Sequence, residues 1–302
     1  LDLYSGANLI SFYALPEDPS VSNIMSPLGD IFQGIIAESG SCTQLESGEW
    51  IGSHCTLLAE SGYWVKVFEG GTLSLVDATP TDLGIEYDLH SGANLISFPS
   101  PGIRDLSLGI PDLIEPEFEG IIGEGVSAAQ IPGIGWVGSI SEWEGTKGYW
   151  AKVFNSVTLV FDFESTSRTS FSKSEDEFYE TSYDYAQSSE QAFYFIEDIE
   201  DAEVGDMVLA YHNDVLVGAR AWSGSYTDIP AMGNDNSELT SGYCNTESIP
   251  VFYLEKETTG EILKLSGDVN TWESNGIFTV GTMIIANDLL PETVMLQSAY
   301  PN

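Results

Sequence analysis

The sequence predicts an all-β chain of three tandem small domains, on three observations. The octapeptide Ser5-Gly6-Ala7-Asn8-Leu9-Ile10-Ser11-Phe12 returns letter for letter as Ser91-Gly92-Ala93-Asn94-Leu95-Ile96-Ser97-Phe98, an offset of 86 residues. Apolar segments are short, separated by turn residues, and nearly free of helical period. Hydrophobic content of 42% and aromatic content of 12% argue for packed cores despite a net charge of −38. A repeat this long exceeds solenoid units of about 20–50 residues and suits independent domains. The expected organisation is two duplicated sandwich- or barrel-like domains at 1–78 and 87–164, a larger β-sandwich at 176–288, and an extended tail at 289–302.

Within the first repeat, Asn8 to Phe12 reads as a buried strand and Gln33 to Glu38 as a second. Between them Ser20 is placed to cap a short helix running toward Leu28. Gly62 to Phe68 alternates, and Glu69-Gly70-Gly71 is expected to turn it into a hairpin with Thr72 to Val76. The offset carries Gly62-Tyr63-Trp64 onto Gly148-Tyr149-Trp150 and Trp50 onto Trp136, so the second repeat is expected to make the same hairpin through Asn155-Ser156. The repeated aromatics are expected to be packing residues first, because cross-strand aromatic pairs are a normal unit of sheet stability. Thr79 to Gly84 links the repeats, and a serine-rich polar stretch from Glu164 to Glu177 precedes the third region. There Gln191 to Ile196 is a strand, Met207 to Trp222 a hairpin turning at His212-Asn213-Asp214, and further strands follow at 249–255, 262–265 and 278–286.

With 47 acidic and 9 basic residues, the chain is repelled by nucleic acid and by anionic lipid. No run of about 20 apolar residues offers a membrane span. The chain opens on Leu1 inside a strand-like pattern, without a signal peptide, and reads as a mature or partial form. Cys42 and Cys55 both fall in repeat 1, and both are replaced together, by Ala128 and Ser141, in repeat 2. Paired replacement is how a disulfide behaves; closing so short a loop contributes about 3 kcal/mol and implies an oxidising compartment. Cys244 then remains a buried thiol.

Chemistry is harder to find. Gly133-Ile134-Gly135-Trp136-Val137-Gly138 has the letters of a dinucleotide fingerprint, but no helix follows to bind a pyrophosphate, so it reads as a loop. His54, His90 and His212 lie at no metal-ligand spacing, and His90 stands where repeat 1 has Tyr4. No hydrolase or phosphate-loop motif is present, and a non-enzymatic protein without a resident cofactor is expected. Asp228, Asn234, Asp235, Asn236 and Glu238 gather oxygen-bearing side chains around one turn and form the candidate calcium site. Trp64, Trp150, Trp222 and Tyr243 are the rings that would stack on carbohydrate if the chain bound glycans.

The motifs Gly6-Ala7-Asn8-Leu9-Ile10-Ser11 and Gly62-Tyr63-Trp64, with their copies, resemble those of a small β-domain found in tandem in secreted bacterial surface proteins, where alanine here replaces the opening tryptophan. The resemblance implies an architectural module without catalytic residues. Leu290-Pro291 through Tyr300-Pro301-Asn302 resembles the start of the C-terminal sorting region of type IX secretion cargo, which implies export to the surface of a Gram-negative cell. The letters Leu290-Pro291-Glu292-Thr293 also match a sortase signal, but Val294 follows instead of glycine. The function expected is that of a structural subunit of an extracellular fibril, a head-to-tail homopolymer in which Thr293, Val294, Met295 and Leu296 serve as a donated strand. The other two readings are a glycan-binding or adhesive module, and accessory domains of a larger secreted enzyme.

Overall fold

The computed structural model describes residues 1–165 and 183–286, and the proposed assembly strand Thr293 to Leu296 lies outside them. The chain is nearly all β, as its sequence predicts. Contacts gather the two repeats into one compact unit and the third region into another.

Each repeat is built on a five-stranded antiparallel sheet. In repeat 1 the strands are β1 (Gly6–Ser11), β2 (Phe32–Ala37), β3 (Gly40–Gln44), β4 (Trp50–Gly52) and β5 (Gly62–Val67), in the order β1-β5-β2-β3-β4. Repeat 2 reproduces this with β6 (Gly92–Ile96), β7 (Phe118–Ile122), β8 (Ser127–Ile131), β9 (Gly135–Gly138) and β10 (Tyr149–Val153), in the order β6-β10-β7-β8-β9. Even the irregularity recurs, a register shift between Phe32 and Gly34 in one and between Phe118 and Gly120 in the other. The helix expected after Ser20 is the single turn Val21–Ile24, its first turn capped by the Ser20 hydroxyl, which accepts from the Asn23 N–H. Its counterpart Leu106–Gly109 is capped by Asp105.

Two expectations are corrected. Thr72 does not fold back on β5: Gly71–Thr72 pairs with Asp2–Leu3, and in repeat 2 Val157–Leu159 pairs with Tyr87–Leu89. The reason is topological, since β5 already has β1 on one side and β2 on the other and offers no free edge for a hairpin partner. The GxGxxG letters, read as a loop, contain β9, with a turn ahead of it.

In the third region, β11 (Gln191–Ile199), β12 (Met207–His212), β13 (Val215–Ala221), β14 (Thr227–Met232), β15 (Val251–Glu255), β16 (Ile262–Ser266) and β17 (Ile277–Ile285) form one sheet ordered β13-β12-β15-β16-β17-β11-β14. The expected hairpin is β12–β13, turning where Asn213 takes a positive φ of 54°. The sheet curls until β13 and β14 lie side by side, with Arg220 Nε donating to the Asp228 carbonyl at 3.1 Å. The layers expected to pack as a sandwich thus belong to one nearly closed barrel, filled by Tyr194, Phe252, Leu254, Met283 and Trp272.

Candidate functional site: the paired octapeptides

The letters of the repeated octapeptide have physical tasks, and those of Ala7, Leu9 and Ser11 lie between the repeats. Gly6 and Gly92 take φ of 98° and 101°, a backbone region open mainly to glycine. Ser5 and Ser91 donate to the carbonyls of Phe68 and Phe154 at 2.8 Å. Asn8 is buried, accepts from Tyr4 N–H at 2.7 Å and donates to Tyr4, Gly6 and Val65 carbonyls; Asn94 does the same for His90, Gly92 and Ala151. This amide pins the turn that launches the strand. Ile10 with Phe12, and Ile96 with Phe98, enter the cores of their own repeats.

The alternate side chains point the other way. Leu9 and Leu95 meet Ala7, Trp64, Ile36 and Trp150 in a small separate core that joins the repeats. Ser11 donates from its hydroxyl to the Lys147 carbonyl and Ser97 to the Ala59 carbonyl, both at 2.6 Å. Backbone bonds cross as well: Ser11 N–H to Thr146 O at 3.0 Å, and Ser97 N–H to Glu60 O at 3.1 Å. The two backbone bonds are equivalent pairs at the offset of 86, so the contact is pseudo-two-fold, while the hydroxyl acceptors differ, since Lys147 corresponds to Ser61 and not to Ala59. Two carboxylates complete it, Glu124 accepting from Leu9 N–H and Glu38 from Leu95 N–H, each at 2.7 Å.

The glycine of the Gly-Tyr-Trp motif is explained by the same contact. A Cβ on Gly62 would lie 2.7 Å from the Ile96 carbonyl oxygen and 3.0 Å from Leu95 Cδ1, and one on Gly148 would lie 2.7 Å from Ile10 O and 3.0 Å from Leu9 Cδ1. Real Cβ atoms do not tolerate such a backbone contact, so these positions admit only glycine without parting the repeats. The symmetry also breaks at residue 90, where repeat 1 has Tyr4. His90 Nε2 lies 2.7 Å from Glu38 Oε1, and its pKa is raised by the Ser91 carbonyl and then by the Glu38 carboxylate. Glu124 has Tyr4 at the corresponding place on repeat 1, and burial lifts its pKa from 4.5 to about 7, against the lowering effect of the Leu9 N–H and Lys147.

Comparison with family models, with curated proteins and with solved structures gives no match. The residues singled out in sequence are therefore judged on geometry. Cys42 and Cys55 are joined in a disulfide, Cα atoms 5.1 Å apart, and Cys244 is a buried free thiol whose pKa burial pushes up to about 12. Of the residues in the candidate calcium site, Asp228 belongs to β14 and is buried beside Arg220, while Asp235 accepts from Thr240 and Ser237, and Asn234 from Asn236 N–H. Glu238 opens a short 3-10 turn. The loop's own donors reach Asn234 and Asp235, and among the described residues no group of three His, Cys, Asp or Glu side chains gathers.

The sugar-stacking expectation is corrected. Trp64, Trp222 and Tyr243 are buried at 1%, 5% and 4% exposure, and Trp150 is half-buried against the small core between repeats. Both Trp64 and Trp150 bury their indole N–H groups without a hydrogen-bond partner. The rings that face solvent at equivalent places are Phe68 and Phe154. What sequence reasoning missed is the outward face of the octapeptide. A signal was present: Ala7 and Leu9 alternate with Ile10 and Phe12, so the strand is apolar on both faces, whereas an antiparallel strand with a wet face alternates with polar residues.

Proposed function

We propose that the chain is a non-enzymatic secreted surface protein, a structural subunit of an extracellular fibril on a Gram-negative cell. The observation that carries this reading is that, among the residues most faithfully repeated, Leu9, Ser11 and Gly62 with their copies hold two domains together. In a binding or catalytic repeat the same positions would be expected to gather reactive groups. The resemblance of the tail to type IX secretion cargo supports export, and the extended apolar character of Thr293 to Leu296 suits a strand donated to the next subunit. Subunits carrying −38 each repel one another, so assembly strengthens with salt or divalent cations.

Negative-stain microscopy of the full chain, with and without residues 289–302, tests the reading. Fibres are expected from the full chain in calcium-containing buffer and only soluble folded protein from the truncated one. Fibres that persist after truncation contradict the donated strand, and a full chain that stays monomeric at high concentration contradicts the fibril.

A further inference from the structure

The contact between the repeats has the form of an isologous interface inside one polypeptide. Leu9 and Leu95 sit in one cluster, and Gly62 and Gly148 face each other's repeat at matching distances. Isolated bridges Ile10 to Lys147 and Ser61 to Ile96 are the two halves of one pair at the offset of 86. The groups that differ between copies, Ser61 against Lys147 and Glu60 against Thr146, take part there through their backbone. Each face is therefore complementary to a copy of itself, as a two-fold contact requires. From this we infer that the octapeptide face is a self-recognising docking surface whose partner is the same face on a second copy of this chain. In the native chain the neighbouring repeat fills it, because a short linker holds the two at an effective concentration on the order of millimolar. A face without its neighbour binds a second chain, repeat 1 to repeat 1 or repeat 2 to repeat 2, with the contacts it makes within the chain. The surface is separate from the tail and independent of the fibril reading.

Full-length variants test it. Gly62→Val removes the repeat 1 face, since its side chain is aimed at Ile96 and Leu95 of the other repeat, and it leaves the repeat 2 face intact and uncovered. Gly148→Val does the converse. In sedimentation at rising concentration, each single variant should gain a two-fold association that the wild type and the double variant lack. Assembly through the tail needs neither glycine, so the double variant carries it unchanged and sets the baseline. Near-ultraviolet circular dichroism reports that the repeats are folded, and Leu9→Asp with Leu95→Asp repeats the design at side chains that belong to the joining cluster and to neither repeat's own core. Folded single variants that remain monomeric overturn the inference, and so does a double variant that dimerises as well as they do.

Discussion

In repeat 1 Cys42 and Cys55 are bonded across β3 and the loop after β4, whereas repeat 2 has Ala128 and Ser141 at those places and a different core. There Trp143 lies 4.8 Å from Tyr149 and 4.9 Å from Phe161, ring centre to ring centre, and Phe161 lies 5.0 Å from Phe98 and 5.4 Å from Tyr87. The equivalents of Trp143, Phe161 and Tyr87 in repeat 1 are Leu57, Leu75 and Leu1. Its core retains Phe12 near Tyr63 at 6.3 Å and Phe32 near Trp50 at 5.6 Å. One scaffold is thus closed in two ways: a covalent link that restricts the unfolded chain by about 3 kcal/mol, or edge-to-face ring pairs worth about 0.5–1.5 kcal/mol each beyond their buried area. Leu9, Ser11 and Gly62, which face the other repeat, are the same in both copies.

The sharpest way to break this comparison is at the aromatic cluster. Trp143 is fully buried and its Nε1–H donates to the Leu106 carbonyl at 3.0 Å, so Trp143→Ala should cost about 3–5 kcal/mol and strip hydrogen-exchange protection from repeat 2 first. Next in size is the disulfide. Cys42→Ser with Cys55→Ser should lower stability by about 3 kcal/mol, with early exchange confined to β2, β3 and β4, and a reducing agent should reproduce it while leaving β7 and β8 protected. Loss spread evenly over both repeats would show that the staple does not serve repeat 1 alone.

The smallest effect is in pH, and it sharpens the difference between the copies at Tyr4 and His90. The folded pKa of Glu124 lies above its ordinary value, so the folded protein holds that proton more tightly; the stability it contributes is full below about 4.5 and is lost as pH rises to about 7. His90 acts in the same direction, its contribution complete below 6.5 and lost as pH rises through its raised value. Pairing of the repeats should therefore loosen from pH 5 to pH 8, seen as faster exchange at Leu9 and Ser11. Glu124→Gln, which keeps an acceptor for Leu9 N–H, should flatten most of that change, and an unaltered pH profile would remove Glu124 from the account.

Much of the fold is legible in sequence because the repeat marks equivalent strands, Ser20 marks a cap, and paired loss of Cys42 and Cys55 marks a bond. The path after Val67 is not, because the letters Glu69-Gly70-Gly71 favour a hairpin locally and only the sheet order shows that β5 has no open edge. The barrel of the third region is likewise a property of strand order, which period-two alternation does not encode. The turn around Asn234 and Asp235 was ambiguous in sequence because Asp, Asn and Ser serve loops by binding their own backbone as readily as they serve cations. The joining face was half legible: Leu9, on the strand face opposite Ile10 and Phe12, announces burial, but the partner that buries it is another copy of the same letters.

Amide hydrogen exchange of Leu9, Ser11, Leu95 and Ser97, compared between the wild-type chain and Gly62→Val, tests most directly whether the octapeptides hold the repeats together. All four N–H groups donate across the contact in the native chain. The predicted result is rapid exchange at these four amides in the variant, with Val65 and Ala151, inside their own sheets, still protected. Four amides as slow in the variant as in the wild type would contradict it.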